Sequence, residues 1–131
     1  MTDLYVDTSA LLKRIFIEDE SSQVRAILRA RTTAGDLVVS SELAWVEVAR
    51  AVSRAGVREV GEMIRTACAG VARQPLTQAV MQRARTIGPP NLRSLGAIHL
   101  AAAISLGAVE MLTFDRRLAE AAESLGVKAI P

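Results

Sequence analysis

Two aspartates of the chain each follow a short apolar run that is typical of a buried strand. Asp7 comes after residues 4–6, LYV, and Asp115 comes after residues 111–114, MLTF. In an open parallel sheet, sites form beyond the carboxyl ends of the strands, so both carboxylates stand where chemistry is expected. One such aspartate alone would more simply be a helix cap. Two of them predict a shared cleft, and because nearby carboxylates repel, a divalent cation is their expected partner.

A third carboxylate is expected from the helix that the sequence predicts over residues 41–54. Glu42 lies in its first turn, where the helix dipole alone explains an acidic residue. Glu47 lies along or beside the apolar stripe of the same helix, where an unpartnered carboxylate is costly to desolvate. We therefore assign Glu47, and not Glu42, to the candidate site.

The chain has one histidine and one cysteine, which excludes zinc chemistry. His99 lies in the most apolar predicted helix, and a hydrogen-bonded core residue is favoured there over a metal ligand. Neither a Gly-x-Ser-x-Gly nucleophile motif nor a phosphate-binding glycine loop occurs. A phosphotransfer enzyme with Asp7 as nucleophile is also disfavoured, because Ser9 stands where a second aspartate would be needed.

The elements that must position these residues alternate between strands and helices along the whole chain. Thr8 or Ser9 is the expected cap of the first helix. The alternation is typical of a parallel sheet covered by helices on both faces, and it predicts one α/β domain over residues 1–131. Strands are predicted at about 4–6, 37–39, 74–76, 109–113 and 127–130, with helices from about 10, from 18–21, and at 41–54, 57–72, 77–86, 94–106 and 115–125.

The composition excludes several classes of protein. Half of the 131 residues are hydrophobic, which excludes disorder, and no uncharged apolar run of about 18 residues could span a membrane. The N-terminus lacks a signal peptide, so a cytoplasmic protein is expected. All basic residues but Lys13 and Lys128 are arginine, which suits phosphate recognition and equally reflects genome composition. Four aromatic residues are too few for a base-stacking platform.

Four segments occur in an order and spacing typical of a known family. They are residues 5–13 (YVDTSALLK), 41–48 (SELAWVEV), 95–101 (LGAIHLA) and 112–119 (LTFDRRLA). Together they resemble PIN-domain proteins, in particular VapC-type toxins of bacterial toxin–antitoxin pairs. The resemblance covers essentially the whole chain.

The resemblance implies an α/β/α sandwich with a short central parallel sheet, and an endoribonuclease that cleaves structured RNA with Mg²⁺ or Mn²⁺. It implies Asp7 as a metal ligand, and Glu47 and Asp115 as residues that hold metal directly or through water and orient the attacking water. Ser9 and Thr113 become supporting hydroxyls, while Arg116 becomes a phosphate contact or simply an exposed arginine. A small antitoxin that occludes the site, and a homodimer, are the implied partners.

One position departs from the family pattern. The third segment normally reads Leu-Asp-Ala-Ile-His, and here Gly96 replaces an aspartate that is ordinarily a principal metal ligand. Glycine costs a helix about 0.5–1 kcal/mol relative to alanine, so helix propensity does not explain it. Gly96 and His99 are three residues apart, and we expect their shared face to look into the acidic cleft. Whether the change is natural or engineered is left open by the sequence.

Two functional hypotheses follow. The first is a metal-dependent ribonuclease toxin that lacks one acidic ligand, and the second is a catalytically silent PIN-fold module that keeps antitoxin binding or self-association. Apolar stripes on two predicted helices exceed what a small sheet covers, so we expect the antitoxin groove or a homodimer contact there. The residues of these stripes are Val24, Ile27, Leu28, Val57 and Ile64.

Overall fold

The computed structural model describes residues 2–131. Its one five-stranded sheet is parallel throughout and has the order β3-β2-β1-β4-β5. The central strand β1 is fully buried, and a strand covered on both faces needs an uninterrupted apolar sequence such as LYV. The strands are β1 (Leu4–Val6), β2 (Val38–Ser41), β3 (Ala72–Gln74), β4 (Glu110–Leu112) and β5 (Lys128–Ile130).

Seven helices cover the two faces of the sheet within the described residues. Leu4 and Val6 point into a hydrophobic cluster shared with the first four helices, and Tyr5 points into a second cluster shared with the last three. The result is the predicted α/β/α sandwich. None of these helices has the length and apolarity that a bilayer span requires. They are α1 (Thr8–Leu12), α2 (Ser21–Thr33), α3 (Glu42–Arg54), α4 (Val60–Ala67), α5 (Gln78–Ala84), α6 (Ser94–Leu106) and α7 (Arg116–Ser124).

Predicted boundaries are wrong at α1, α4 and β3. The cap of α1 is Asp7, whose carboxylate accepts the backbone N–H of Ala10, and not Thr8 or Ser9. Helix α4 ends at Ala67, short of the predicted residue 72, because Gly70 adopts a φ of 75° and turns the chain toward the sheet. The strand β3 therefore starts two residues earlier than predicted.

The predicted partner stripe is also corrected in part. Val24 and Leu28 are buried in the first cluster, so they have no area left for a partner. Ile27, Val57 and Ile64 pack at the margin of the same cluster and are partly buried. The stripe residues are covered within the protein because four helices, and not two, pack together on that face of the sheet.

Candidate active site

Asp7 lies at the carboxyl end of β1, where the chain enters α1. Its Oδ1 accepts hydrogen bonds from Ser9 Oγ at 2.7 Å and from the Ala10 N–H at 3.1 Å, and its Oδ2 accepts one from Thr113 Oγ1 at 2.6 Å. Burial raises the pKa of the Asp7 carboxyl, and these hydrogen bonds oppose that rise without cancelling it. Both carboxylate oxygens are thus engaged within the protein.

Asp115 reaches the same edge of the sheet from β4. The two strands are parallel neighbours, with Val6 opposite Leu112, so the residues that follow them lie side by side. The Thr113 hydroxyl, which donates to Asp7, also accepts the N–H of Asp115 at 3.0 Å. Asp115 itself is exposed and caps α7 by accepting the Leu118 N–H.

Ser9 makes a second link between the two strand ends. Its hydroxyl donates to Asp7 and accepts the N–H of Phe114 at 2.9 Å. Ser9 and Thr113 were assigned from the sequence as supporting hydroxyls, and the structure brings both onto the Asp7 carboxylate. Each therefore fixes the direction in which that carboxylate points.

Glu47 belongs to α3, and its carboxylate reaches the candidate site from that helix. Its Oε1 accepts hydrogen bonds from Thr8 Oγ1 at 2.6 Å and His99 Nε2 at 2.7 Å, while Oε2 has no hydrogen-bond partner within residues 2–131. Burial raises the pKa of Glu47, but the hydrogen bonds from His99 and Thr8 bring it below the ordinary value of 4.5. Glu42, by contrast, accepts the Leu76 N–H and so ties the first turn of α3 to the segment between β3 and α5.

One open cleft, about 780 Å³ in volume, is lined by Glu47, Gly96 and Asp115. Arg93 and Arg117 stand at the same cleft, and Arg116 lies beside Asp115 in the neighbouring hollow. These exposed guanidinium groups are suited to phosphate oxygens, because their planar fork can bind two at once.

Position 96 is the third residue of α6 and brings no side chain to the cleft. A β-carbon built at Gly96 would lie 2.9 Å from Cδ1 of Leu92, so the end of that leucine partly fills the space. The leucine methyl is the far end of a flexible side chain, and a small rotation makes room for a substituent.

Sequence reasoning missed two residues that touch the candidate site, Tyr5 and Thr8. It expected the face that His99 shares with Gly96 to look into the cleft, and the ring of His99, a hydrogen-bonded core residue, indeed reaches Glu47. Tyr5 lies within the strand that ends at Asp7 and Thr8 follows it, yet nothing in their residue types marks them.

The comparisons with known proteins identify the family of the chain. A family model described as the PIN domain matches residues 4–124. Ribonuclease VapC47 of Mycobacterium tuberculosis (strain CDC 1551 / Oshkosh) is 40% identical over 125 residues, covering 94% of this chain and 92% of the relative. Ribonuclease VapC35 of the same strain is 37% identical over 131 residues, covering 97% and 95%.

The chain belongs to the VapC family of PIN-domain proteins. This confirms the resemblance carried by the four sequence segments. Solved VapC structures share the fold at low sequence identity. Mycobacterium tuberculosis VapC20, described as a sarcin–ricin loop cleaving toxin, superposes with a TM-score of 0.72 at 14% identity, covering 90% of this chain and 94% of that one. VapC-containing VapBC2 of Rickettsia felis, bound to promoter DNA, gives a TM-score of 0.72 at 10% identity, covering 98% and 97%.

PIN-domain ribonucleases generally use divalent metal ions. The candidate site of this VapC chain would therefore have to supply oxygen ligands for such an ion. Within residues 2–131, no three His, Cys, Asp or Glu side chains form a group that could hold a metal ion. The Asp7 oxygens are engaged by Ser9, Thr113 and Ala10, and position 96 supplies no carboxylate. Hard divalent cations need several oxygen ligands, so the residues present do not fit a tight site.

Proposed function

We propose that this chain is an endoribonuclease toxin of a toxin–antitoxin pair, in a form whose cation site lacks one carboxylate. Its substrate class is structured RNA, and the cation is Mg²⁺ or Mn²⁺. The observation that carries the proposal is the bridging of Asp7 and Asp115 by Thr113, next to a cleft that Asp115 shares with Glu47 and Gly96. Homology to ribonuclease VapC47 supports the same activity.

In this proposal each residue of the candidate site has a separate task. Asp7 would be a cation ligand whose direction is set by Ser9 and Thr113. Glu47 keeps one carboxylate oxygen free, with which it can orient water. Asp115 adds an exposed carboxylate to the cleft that Glu47 lines, while Arg116, with Arg93 and Arg117 nearby, contacts RNA phosphates.

The test restores the missing carboxylate at position 96. Gly96→Asp should bind Mg²⁺ or Mn²⁺ at least about tenfold more tightly by calorimetry, because it returns a charged oxygen ligand. RNA cleavage should rise about 10²–10³-fold, which corresponds to a few kcal/mol of transition-state stabilisation. Expression of this variant without antitoxin should arrest growth.

Two matched variants separate charge from shape. Gly96→Asn has the size of aspartate without its charge, and Gly96→Ala displaces Leu92 in the same way with neither charge nor oxygen. Both should leave cation binding and cleavage at the level of the present sequence. If the present sequence already cleaves RNA as fast as Gly96→Asp, position 96 is not a vacated ligand site.

A second candidate function is a catalytically silent binding module. It is favoured by the absence, within the described residues, of a three-member group able to hold a metal. Under this alternative, Gly96→Asp would also fail to cleave RNA although the chain still forms a complex with its antitoxin. The same set of assays therefore decides between the two functions.

A further inference from the structure

A series of hydrogen bonds runs from the interior of the sheet to Glu47. The backbone N–H of Ser41 donates to the phenol oxygen of Tyr5 at 3.2 Å. That oxygen lies 2.7 Å from Nδ1 of His99, and Nε2 of His99 lies 2.7 Å from Oε1 of Glu47. Tyr5 and His99 are buried, and they meet edge to face with ring centroids 5.8 Å apart.

The proton positions in this chain follow from what each group can donate. Glu47 Oε1 takes hydrogen bonds from both Thr8 and His99, and a carboxylate can only accept. The proton between it and His99 must therefore sit on Nε2. In a neutral imidazole Nδ1 is then bare and accepts the phenol proton of Tyr5 across 2.7 Å.

A doubly protonated imidazole fits the same surroundings poorly. The ring Nδ1–H and the Ser41 N–H would then both donate to the phenol oxygen of Tyr5. The phenol proton would then have to leave Nδ1, and the hydrogen bond from Tyr5 to that nitrogen would be lost. The neutral ring, by contrast, gives the Ser41 N–H, the phenol and both ring nitrogens a partner each, so it is favoured.

We propose that Tyr5 and His99 are positioning residues for Glu47. Tyr5 donates to Nδ1 of His99 and so supports the Nε2–H tautomer. His99 in turn donates from Nε2 to Glu47, which fixes that carboxylate with Oε1 engaged and Oε2 free. Thr8 adds a second donor on the same oxygen, which prevents the carboxylate from exchanging its two oxygens. The hydrogen-bond series stands on geometry alone, whereas its effect on RNA cleavage rests on the proposed function.

The test uses the fact that the chain has a single histidine and a single tyrosine. Nitrogen-15 NMR of the imidazole at neutral pH therefore reports on His99 without assignment. We expect a bare Nδ1 and a protonated Nε2. The Nδ1–H tautomer, or a ring with both nitrogens protonated, would overturn the proposal, and the unmodified chain suffices for this measurement.

Tyr5→Phe then removes only the hydroxyl that donates to Nδ1. The Nδ1 resonance should move toward that of a free bare nitrogen, while the contact with Glu47 keeps the proton on Nε2. An unchanged His99 spectrum in a folded Tyr5→Phe variant would show that Tyr5 does not donate to Nδ1. Ser105→Ala, on the exposed side of α6, should leave the spectrum as it is and serves as the control.

The catalytic consequence is measured in the Gly96→Asp background. Adding Tyr5→Phe should lower kcat about 5–30-fold and leave KM unchanged, because substrate does not touch Tyr5. A rise in KM with constant kcat would contradict a positioning role. Absence of cleavage in every variant, with the expected His99 spectrum, would refute the proposed function and leave the hydrogen-bond series intact.

Discussion

At the scale of single residues, two carboxylates of the candidate site have opposite pKa shifts. Burial dominates at Asp7 and raises its pKa above the ordinary 3.8, in spite of three hydrogen bonds. At Glu47, the hydrogen bonds from His99 and Thr8 outweigh burial and lower the pKa below 4.5. Ionised Asp7 therefore costs the fold stability at neutral pH, while ionised Glu47 contributes stability there.

Asp7→Asn should stabilise the folded chain at pH 7. A carboxyl whose pKa is raised on folding contributes stability below pH 3.8, and this is lost as the pH rises through the folded pKa. Asparagine imitates the protonated form at every pH. Calorimetry at pH 7 should give a higher unfolding midpoint for the variant, and the difference should disappear below pH 3.8. An equal or lower midpoint at pH 7 would contradict the raised pKa.

Glu47→Gln should show the reverse dependence. A lowered pKa contributes stability above pH 4.5, which is lost as the pH falls through the folded pKa. Urea unfolding at pH 7 should find the unmodified chain more stable than the glutamine variant, with the two converging near about pH 3. A constant difference between them over this range would mean that Glu47 has an ordinary pKa.

At the scale of secondary structure, α6 is the helix whose packing most constrains the site, because it supplies both Gly96 and His99. Its buried alanines bring its backbone close to its neighbours in the second hydrophobic cluster. Ala102→Leu should therefore cost about 1–3 kcal/mol in the free energy of unfolding, through overpacking. Ser105→Leu on the exposed side of the helix should change it by less than about 0.5 kcal/mol. Urea denaturation measures both, and equal effects would refute the packing argument.

The sequence predicted most elements because their signals are local. The bounds of α6 match, as does the end of α3 at Arg54, since an apolar run or stripe with a clear end marks each of them. The predicted end of α4 was wrong because the turn at Gly70 leads the chain into β3, whose position is set by pairing with β2, and no local pattern reveals that pairing. The link between His99 and Glu47 was missed for the same reason, since 52 residues separate them along the chain.

At the scale of the whole molecule, the cleft has an apolar margin that a partner could cover. Leu95 lines the cleft next to Gly96 and is 48% exposed, and Leu125 at the far end of α7 is 45% exposed. If the antitoxin occludes the cleft, Leu95→Glu should weaken the toxin–antitoxin complex at least about tenfold. Leu125→Glu should change the affinity by less than about twofold. Titration calorimetry with the cognate antitoxin compares them, and equal losses would place the antitoxin elsewhere.

Self-association is expected as well. Light scattering of the chain alone should give twice the monomer mass of 14.0 kDa. A strictly monomeric mass at concentrations up to about 100 µM, well above the Kd of a stable dimer, would remove the homodimer from the proposed assembly.

The hydrogen bonds around Asp7 limit how such a toxin can lose its toxicity by mutation. Replacing Asp7 by a residue without a side-chain oxygen removes acceptors for Ser9, Thr113 and the first turn of α1, and the same change at Asp115 removes the cap of α7. Next to position 96 lies the end of Leu92, which needs no acceptor. A lineage that silences the enzyme while keeping a folded partner for its antitoxin can therefore lose the carboxylate at position 96 without leaving a buried donor unpaired.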